Sequence, residues 1–352
     1  MENAVIRKYI KGDSTGISEF MKRCFLKNNR FEVRSHEPEY YKWKYETNPY
    51  AEPVAWVAES NKHIVGLMSA VPRMLWIHGR EVLVAESGDT FVDPDYRGGN
   101  LFFKLAQKLY SDCDKRGFNF ICGIPNPVSY PVITEILMYK PLFMCKSLVR
   151  PLNFDTIIQK KMRINTASKL LGTGLKKFYN TIWSINKDDS VFIKQAENAD
   201  NAFNQLWEKN SLFLNYGFVK DSKYIKWRFF DNPDEYKVFI LKDQGKNSGW
   251  ISLKFSKVMG LTFAQIVDYL LPKNKKKEFI VSIINYCAER GADFAEIWAV
   301  YDSILYSELR KTGFIPRKKE FRFVMKENTM KLTPEMFNKN LWIYNQADSD
   351  NI

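Results

Sequence analysis

"KWKYETNP" (Lys42–Pro49) and "KWRFFDNP" (Lys226–Pro233) are one octapeptide written twice in the same chain. Lys, Trp, Asn and Pro recur, Lys44 answers to Arg228, and Tyr45 answers to Phe229. Neighbouring stretches recur in the same order. "CDKRGFNFICG" from Cys113 matches "CAERGADFAEIWA" from Cys287, and "AVIRKYIKGDSTGISEFMKRCF" matches "SVFIKQAENADNAFNQLWEKNS". "SYPVITEILMYKPLF" lies where "DSILYSELRKTGFIP" lies in the second half. Such order at near-constant spacing means an internal duplication, and the period is far too long for a solenoid. The chain therefore reads as two copies of one domain: 1–152, a helical linker 153–188, a second copy 189–327 and a C-terminal tail 328–352.

Each copy has the pattern of an α/β domain built on a mixed sheet. In the first, "AVIRKYI" is a strand and "GISEFMKRCFLKN" a helix. "VAWVAES", "HIVGLMSAVPRMLWI" and "REVLVAESGDTFVDP" are strands, with "NKH" turning between the first two. "NLFFKLAQKLYSDCDKRG" is a helix, because Leu101, Leu105, Leu109 and Cys113 share one face. Gly117 ends it. "FNFICGI" is the next strand, "SYPVITEILMY" a short helix and "PLFMCKSLVR" the last strand. The order β-α-β-β-β-α-β-α-β places helices on the faces of a mixed sheet. The octapeptide falls between the first helix and the first hairpin, where Asn48-Pro49 ends a helical turn. Its Trp is expected to pack under the sheet.

Composition bounds the function. A chain of 352 residues with 45% hydrophobic and 15% aromatic content fills two cores. The five cysteines (Cys24, Cys113, Cys122, Cys145, Cys287) are odd in number and form no CxxC pair, so reduced, buried thiols are expected. The three histidines (His36, His63, His78) sit apart, which argues against a metal enzyme. "MENAVIRKYIKGD" has no apolar stretch of signal-peptide length, and no segment has the ~20 apolar residues a bilayer span needs. A cytoplasmic protein is expected. The net charge of +13 attracts anionic cofactors, substrates, nucleic acid or membrane. The one clear basic run, "KNKKKE" at Lys273–Glu278, reads as a solvated loop or as a contact for an anionic substrate. The linker "NFDTIIQKKMRINTASKLLGTGLKKFYNTIWSI" is basic and apolar together. It reads as an interdomain helix, with peripheral contact to an anionic membrane as the alternative.

One loop carries chemistry. Arg97-Gly98-Gly99-Asn100-Leu101-Phe102 forms a turn directly before a helix. Such a turn aims several backbone N–H groups into one concavity, and the helix N-terminus adds partial positive charge, which suits a pyrophosphate. Glycines let a ligand approach the backbone. Asn100 is expected to hold the loop shape, since Asn tolerates the left-handed region.

Strand order and loop together resemble the GNAT superfamily of acetyl-CoA-dependent acetyltransferases, whose phosphate loop stands between the fourth strand and the third helix. "KWKYETNP", "GIPNPVSYP" and the terminal "LWIYNQADSD" are similar to tandem-GNAT proteins found with surface-polysaccharide genes. That branch usually reads Arg-Gly-x-Gly-Leu-Phe; Asn100 replaces a glycine and Phe102 is as expected. The resemblance implies acetyl-CoA as co-substrate, with its phosphates at Arg97, Gly98, Gly99, Asn100, Leu101 and Phe102. It implies the pantetheine arm along Thr90, Phe91 and Val92, with Asn126 at the strand mouth as either an arm ligand or a turn cap. Acyl transfer to an amine needs a base, and Glu86 and Asp89 are the candidates. Strand alternation would put them on opposite sides, with Glu86 beside Thr90 and Val92. Asp89 is the structural candidate, because Asp268 occupies the matching strand of the second copy. Tyr130 and Tyr139 are candidates for the acid that protonates the thiolate, and Ser129 for a contact to substrate. The second copy reads "LLPKNKKKEFIV" where the first reads "VDPDYRGGNLFF", so it has no glycine loop. The implied acceptor is a small amine or sugar, anionic in one reading, rather than DNA. Two alternatives remain at this stage: a tRNA-dependent aminoacyl ligase, which normally lacks "YRGGN" and carries a coiled-coil arm, and a non-catalytic ligand-binding module.

Overall fold

The computed structural model describes residues 4–27, 37–162, 168–183, 188, 190–272 and 274–349. His36, Lys273, parts of the linker (163–167 and 184–187), residue 189 and 350–352 lie outside the described residues. The chain forms two compact units.

The first copy runs β1 (Val5–Lys8), α1 (Asp13–Lys27), α2 (Pro38–Glu46), β2 (Val54–Ser60), β3 (His63–Ile77) and β4 (Arg80–Val92). A 3-10 turn at Pro94–Tyr96 leads into α3 (Leu101–Lys115), β5 (Phe120–Gly123) and β6 (Lys140–Pro151). The short helix expected before β6 is a five-residue π-helix, Val132–Ile136. Then come α4 (Phe154–Met162) and α5 (Ser168–Ile182). The second copy runs β7 (Val191–Gln195), α6 (Asn201–Ser211), β8 (Tyr216–Phe218) and α7 (Ser222–Ile225), which continues as a π-helix at Lys226–Phe230. It goes on with β9 (Lys237–Asp243), β10 (Lys246–Val258), β11 (Leu261–Leu270), α8 (Lys276–Glu289), β12 (Phe294–Val300), α9 (Ile304–Lys311) and β13 (Ile315–Glu327), and the tail adds β14 (Trp342–Ile343). The α/β class and the tandem repetition are both as expected.

The units do not follow the duplication boundary. The first comprises Met1–Pro141, Asp231–Asp234 and Phe323–Thr333, and the second takes the rest. Nearly all of β6 thus belongs to the second unit, where it pairs antiparallel with β12 from Phe294–Pro151 to Val300–Cys145. The last residues of β13 belong to the first unit, where Val324–Glu327 pair antiparallel with β5. The first copy therefore lends nearly all of its final strand, and the second copy the end of its own, to the other unit, which linear sequence matching could not show.

Each unit has its own core. In the first, α3 lays Leu105, Leu109 and Cys113 against Ala85, Val92 and Ile121 of the strands, and Leu101 packs at the edge, as its spacing predicts. In the second, α8 buries Ile280, Ile283, Ile284 and Cys287 against Ile251, Ile266 and Ile297. All five cysteines are buried free thiols. The octapeptide sits on α2 and on the π-helix after α7, and both its tryptophans, Trp43 and Trp227, are buried. In each copy the Asn caps a turn: Asn48 Oδ1 accepts from the Tyr50 N–H and Asn232 Oδ1 from the Asp234 N–H, both at 2.9 Å.

Candidate active site

β4 is the strand around which the site forms. On one side it pairs antiparallel with β3 from Ile77–Arg80 to Gly66–Val92. On the other it pairs in parallel with β5 over only Val84–Phe120, Ala85–Ile121 and Glu86–Cys122. Beyond Glu86, β4 keeps β3, but among the described residues its other edge has no ladder partner. The two strands part as a wedge. Gly123 stands at the vertex, where a Cβ would lie 2.9 Å from the Ser87 carbonyl oxygen, so only glycine fits this approach.

A β-bulge follows. Leu67 pairs with Phe91 and Ser69 with Gly88, so β4 carries one residue more than β3 across this step. Asp89 takes φ +25°, a conformation that costs a non-glycine residue energy and is found at functional sites. The bulge also inverts the alternation expected from sequence. Partners across the ladder share a face, so Glu86, Gly88 and Phe91 lie on one side and Ala85, Ser87 and Val92 on the other. Glu86 does not share a side with Val92, and Asp89 is not turned away from the face that Glu86 occupies.

That face holds two buried ion pairs. Glu86 Oε2 lies 2.9 Å from an Arg73 guanidinium nitrogen, and both residues are buried. Asp89 Oδ2 accepts from Lys44 Nζ and from the Tyr45 hydroxyl, each at 2.6 Å. Ser69 Oγ lies 3.0 Å from the same hydroxyl. Burial, then the charge of Asp89, push the Tyr45 phenol well above its usual value, so it stays protonated and donates. Lys44 and Tyr45 belong to the octapeptide, in which the sequence reading gave a place only to the Trp and the Asn-Pro turn. The one available signal was the Tyr45/Phe229 mismatch, a hydroxyl present in one copy only. Arg73 and Gly123 were also missed, because neither sits in a motif.

The loop after β4 is built as its chemistry requires. Asp93 Oδ1 accepts from the Asp95 N–H and caps the 3-10 turn. The Arg97 side chain turns back and donates to the Val92 carbonyl at 3.0 Å, which fixes the end of β4 to the loop. Gly98 has φ +84°, and nothing lies within 4 Å of a Cβ built on Gly98 or Gly99, so the loop surface is open. Asn100 is the N-cap of α3 at φ −94°. Its expected left-handed conformation is therefore corrected: Gly98 carries the positive φ. Leu101 and Phe102 open α3, whose first-turn N–H groups have no intrahelical acceptors. An open glycine turn, a helix N-terminus and a strand edge at Thr90, Phe91 and Val92 fit a nucleotide pyrophosphate with an extended amide-bearing arm.

The residues after β5 divide. Asn126 Oδ1 accepts from the N–H groups of Val128 and Ser129, both at 2.9 Å, which is the turn-cap role. Ser129 Oγ donates back to the Asn126 carbonyl. Tyr130 opens the turn of helix after the wedge, with its N–H on Asn126 O. Tyr139 lies elsewhere: it is buried in the core beside Tyr110, their rings 6.3 Å apart. Burial holds its phenol well above the usual value and pushes that of Tyr110 up to about 12. Tyr139 follows Met138, which takes φ +59°, and its side chain is spent on the core.

The second unit repeats this architecture and closes it. β11 pairs in parallel with β12 from Phe263–Phe294 to Ile266–Ile297, and the residue after the last pair is Trp298 rather than glycine. Asp268 accepts from Lys220 Nζ at 2.6 Å and the Tyr224 hydroxyl at 2.7 Å, the same trio as Asp89 with Lys44 and Tyr45. The C-terminal tail fills the rest. Asn345 Nδ2 donates to Asp268 Oδ1 and to the Tyr269 carbonyl, and Asp348 pairs with Lys220 at 2.7 Å. Asp268, Asn345 and Asp348 are fully buried. In place of a glycine loop, Lys275 caps α8 at φ +59°, and its Nζ is held by Asp243 and Ser190.

Comparison with known proteins agrees with this geometry. Residues 5–139 match the acetyltransferase (GNAT) domain family. Among solved structures, a GCN5-related N-acetyltransferase from Anabaena variabilis aligns with a TM-score of 0.64 at 12% identity, covering 92% of this chain and 73% of that one. A conserved protein from Enterococcus faecalis, described as a probable N-acyltransferase, aligns with TM-score 0.64 at 12% identity, covering 94% and 74%. Saccharomyces cerevisiae N-myristoyltransferase with bound myristoyl-CoA aligns with TM-score 0.63 at 13% identity, covering 93% and 79%. Comparison with curated proteins returns no match. At these identities the structural matches establish the fold. The chain carries a GNAT acyltransferase domain at residues 5–139, and GNAT domains bind acyl-CoA.

Proposed function

We propose that the chain is an acetyl-CoA-dependent N-acetyltransferase acting on an amine, with an amino sugar or nucleotide sugar of surface-polysaccharide synthesis as acceptor. The observation that carries this reading is the wedge between β4 and β5, leading directly to the open Gly98–Gly99 turn on α3. The acceptor class rests on the motifs "KWKYETNP", "GIPNPVSYP" and "LWIYNQADSD".

When bound, acetyl-CoA supplies a thioester-activated acyl group. The backbone N–H groups of Gly98 to Phe102 would hold its pyrophosphate, and the free edge of β4 at Thr90–Val92 its arm. Glu86, the last β4 residue paired to β5, takes the role of proton acceptor for the amine, with Arg73 compensating its charge. Asp89 is the anchor that ties the bulge to α2 through Lys44 and Tyr45. Tyr130 remains as the candidate proton donor to the departing thiolate, and Ser129 as the candidate acceptor contact.

The test is turnover. Purified protein is mixed with acetyl-CoA and a panel of nucleotide-linked amino sugars, free amino sugars and amino acids. Free thiol is followed and products are weighed by mass spectrometry. Thiol release coupled to acetylation of a sugar amine supports the reading. Acetylation confined to amino acids, or none with any amine, overturns it.

A further inference from the structure

Helix α5 presents an apolar stripe that its own packing does not use. Gly172 and Tyr179, with Trp183 just past the helix end, form its inner side: a side chain at Gly172 would overlap Asp155 of α4, the Tyr179 ring lies tilted 5.3 Å from Phe154, and Trp183 packs on Tyr179. About a quarter turn around the helix, Leu171, Leu175 and Phe178 fall within an arc of about 60° at 100° per residue. All three are exposed, Phe178 to 65%. Lys176, bordering the inner side, and Lys177, opposite it, are also exposed, and Ser168–Ile182 contains no Asp or Glu.

A second exposed apolar feature is tied to α4, the helix on which α5 packs. The hairpin turn between β10 and β11 exposes Val258 and Met259, the latter to 90%. Lys257 is exposed beside them. Lys160 Nζ of α4 donates to the Gly260 carbonyl at this turn. One helix, α4, thus holds both features, with Asp155 against α5 and Lys160 against the hairpin, about 8 Å apart in helix rise.

Exposed large apolar side chains beside lysines on an acid-free helix are the signature of a surface that lies in a lipid headgroup layer, where apolar groups enter the acyl boundary and ammonium groups meet phosphate. Among the described residues no helix is long and apolar enough to cross a membrane. We propose that α5 and the β10–β11 hairpin tip dock the protein on an anionic phospholipid surface. This surface is built entirely within the second unit, so it is independent of the acyl-transfer reading. It gives that unit a task that needs no cofactor.

Vesicle co-sedimentation tests it with the full chain. Phosphatidylcholine vesicles with phosphatidylglycerol as the minor component should pellet the wild type, pure phosphatidylcholine should not, and added salt should release it. Leu175→Glu/Phe178→Glu should weaken binding at least about tenfold. Both positions are exposed, so thermal unfolding and calorimetric acetyl-CoA binding should match wild type. Met259→Glu should weaken binding less. Failure of the wild type to pellet with anionic vesicles overturns the proposal, as does full retention by the double variant. So does light scattering that shows a wild-type dimer which the double variant breaks, since the stripe would then meet a second copy.

Discussion

In the first unit, β4 and β5 part at a glycine, and the bulge that follows holds Asp89 to a lysine and a tyrosine. In the second, β11 and β12 part at Trp298, and Asp268 holds an equivalent lysine and tyrosine. The difference is what occupies the mouth. The first mouth leads to the open turn at Gly98 and Gly99. The second receives the chain's own tail, with an Asn345 amide on the Tyr269 carbonyl, and its loop lysine is tied to Asp243. The duplication preserved the wedge as a piece of folding and kept an open glycine turn beside it in one copy.

If the second wedge is sealed, its aspartate should matter more to stability. Asp268→Ala removes a fully buried charge shared by Lys220, Tyr224 and Asn345, and should cost about 3–5 kcal/mol in urea unfolding. Asp89→Ala, at a partly open mouth, should cost clearly less. Equal costs would break the comparison.

The cradle is the next test. Calorimetry should find one acetyl-CoA per chain. Gly98→Asp should weaken binding by about a hundredfold or more, because it sets a carboxylate against the phosphates and puts a Cβ on a positive-φ residue. Two sites per chain would mean that the tail does not close the second wedge.

Glu86→Gln should lower turnover by roughly a hundredfold while leaving acetyl-CoA affinity near wild type. It also deprives buried Arg73 of its counter-charge, so the unfolding midpoint should fall. Arg73→Met in the Glu86→Gln background should recover stability without activity, which separates the proton-transfer role from the ion pair.

Tyr45→Phe makes the first octapeptide resemble the second at this position, and should cost about 1–2 kcal/mol through the lost donation to Asp89. The folded-state phenol is raised above its unfolded value, so this contribution is full below the ordinary phenol range and declines as pH rises above about 10. The difference between wild type and variant should stay flat from about pH 6 to 9 and shrink beyond. The smallest effect is expected from Lys276→Ala/Lys277→Ala, which should leave acetyl-CoA affinity unchanged; a collapse of binding would reverse the division between the units.

Much of this was legible from residues. Helix α3 followed from its leucine spacing, the duplication from the paired octapeptides, and the glycine turn from its composition. What the sequence hid was geometric. A one-residue bulge leaves no mark in a hydrophobic pattern, yet it moved Asp89 and inverted the faces of β4. The trio around Asp89 draws Lys44 and Tyr45 from the octapeptide, whereas the trio around Asp268 draws Lys220 and Tyr224 from just before it, so aligned positions do not share partners. Tyr139 looked like a residue of the mouth because the positive-φ turn at Met138, which precedes its burial, leaves no mark in the sequence pattern.

The exchange of final strands also sets a timetable. β5 receives its outer neighbour from Val324–Glu327, residues that are synthesised long after β5 itself. Until they arrive, the first-made half waits with an open strand edge, the part of a nascent protein most prone to pairing with the wrong chain. The half that is made first cannot be completed until most of the second has been made, and a gene cut at the duplication boundary would leave one fragment without the end of β13 and the other without β6.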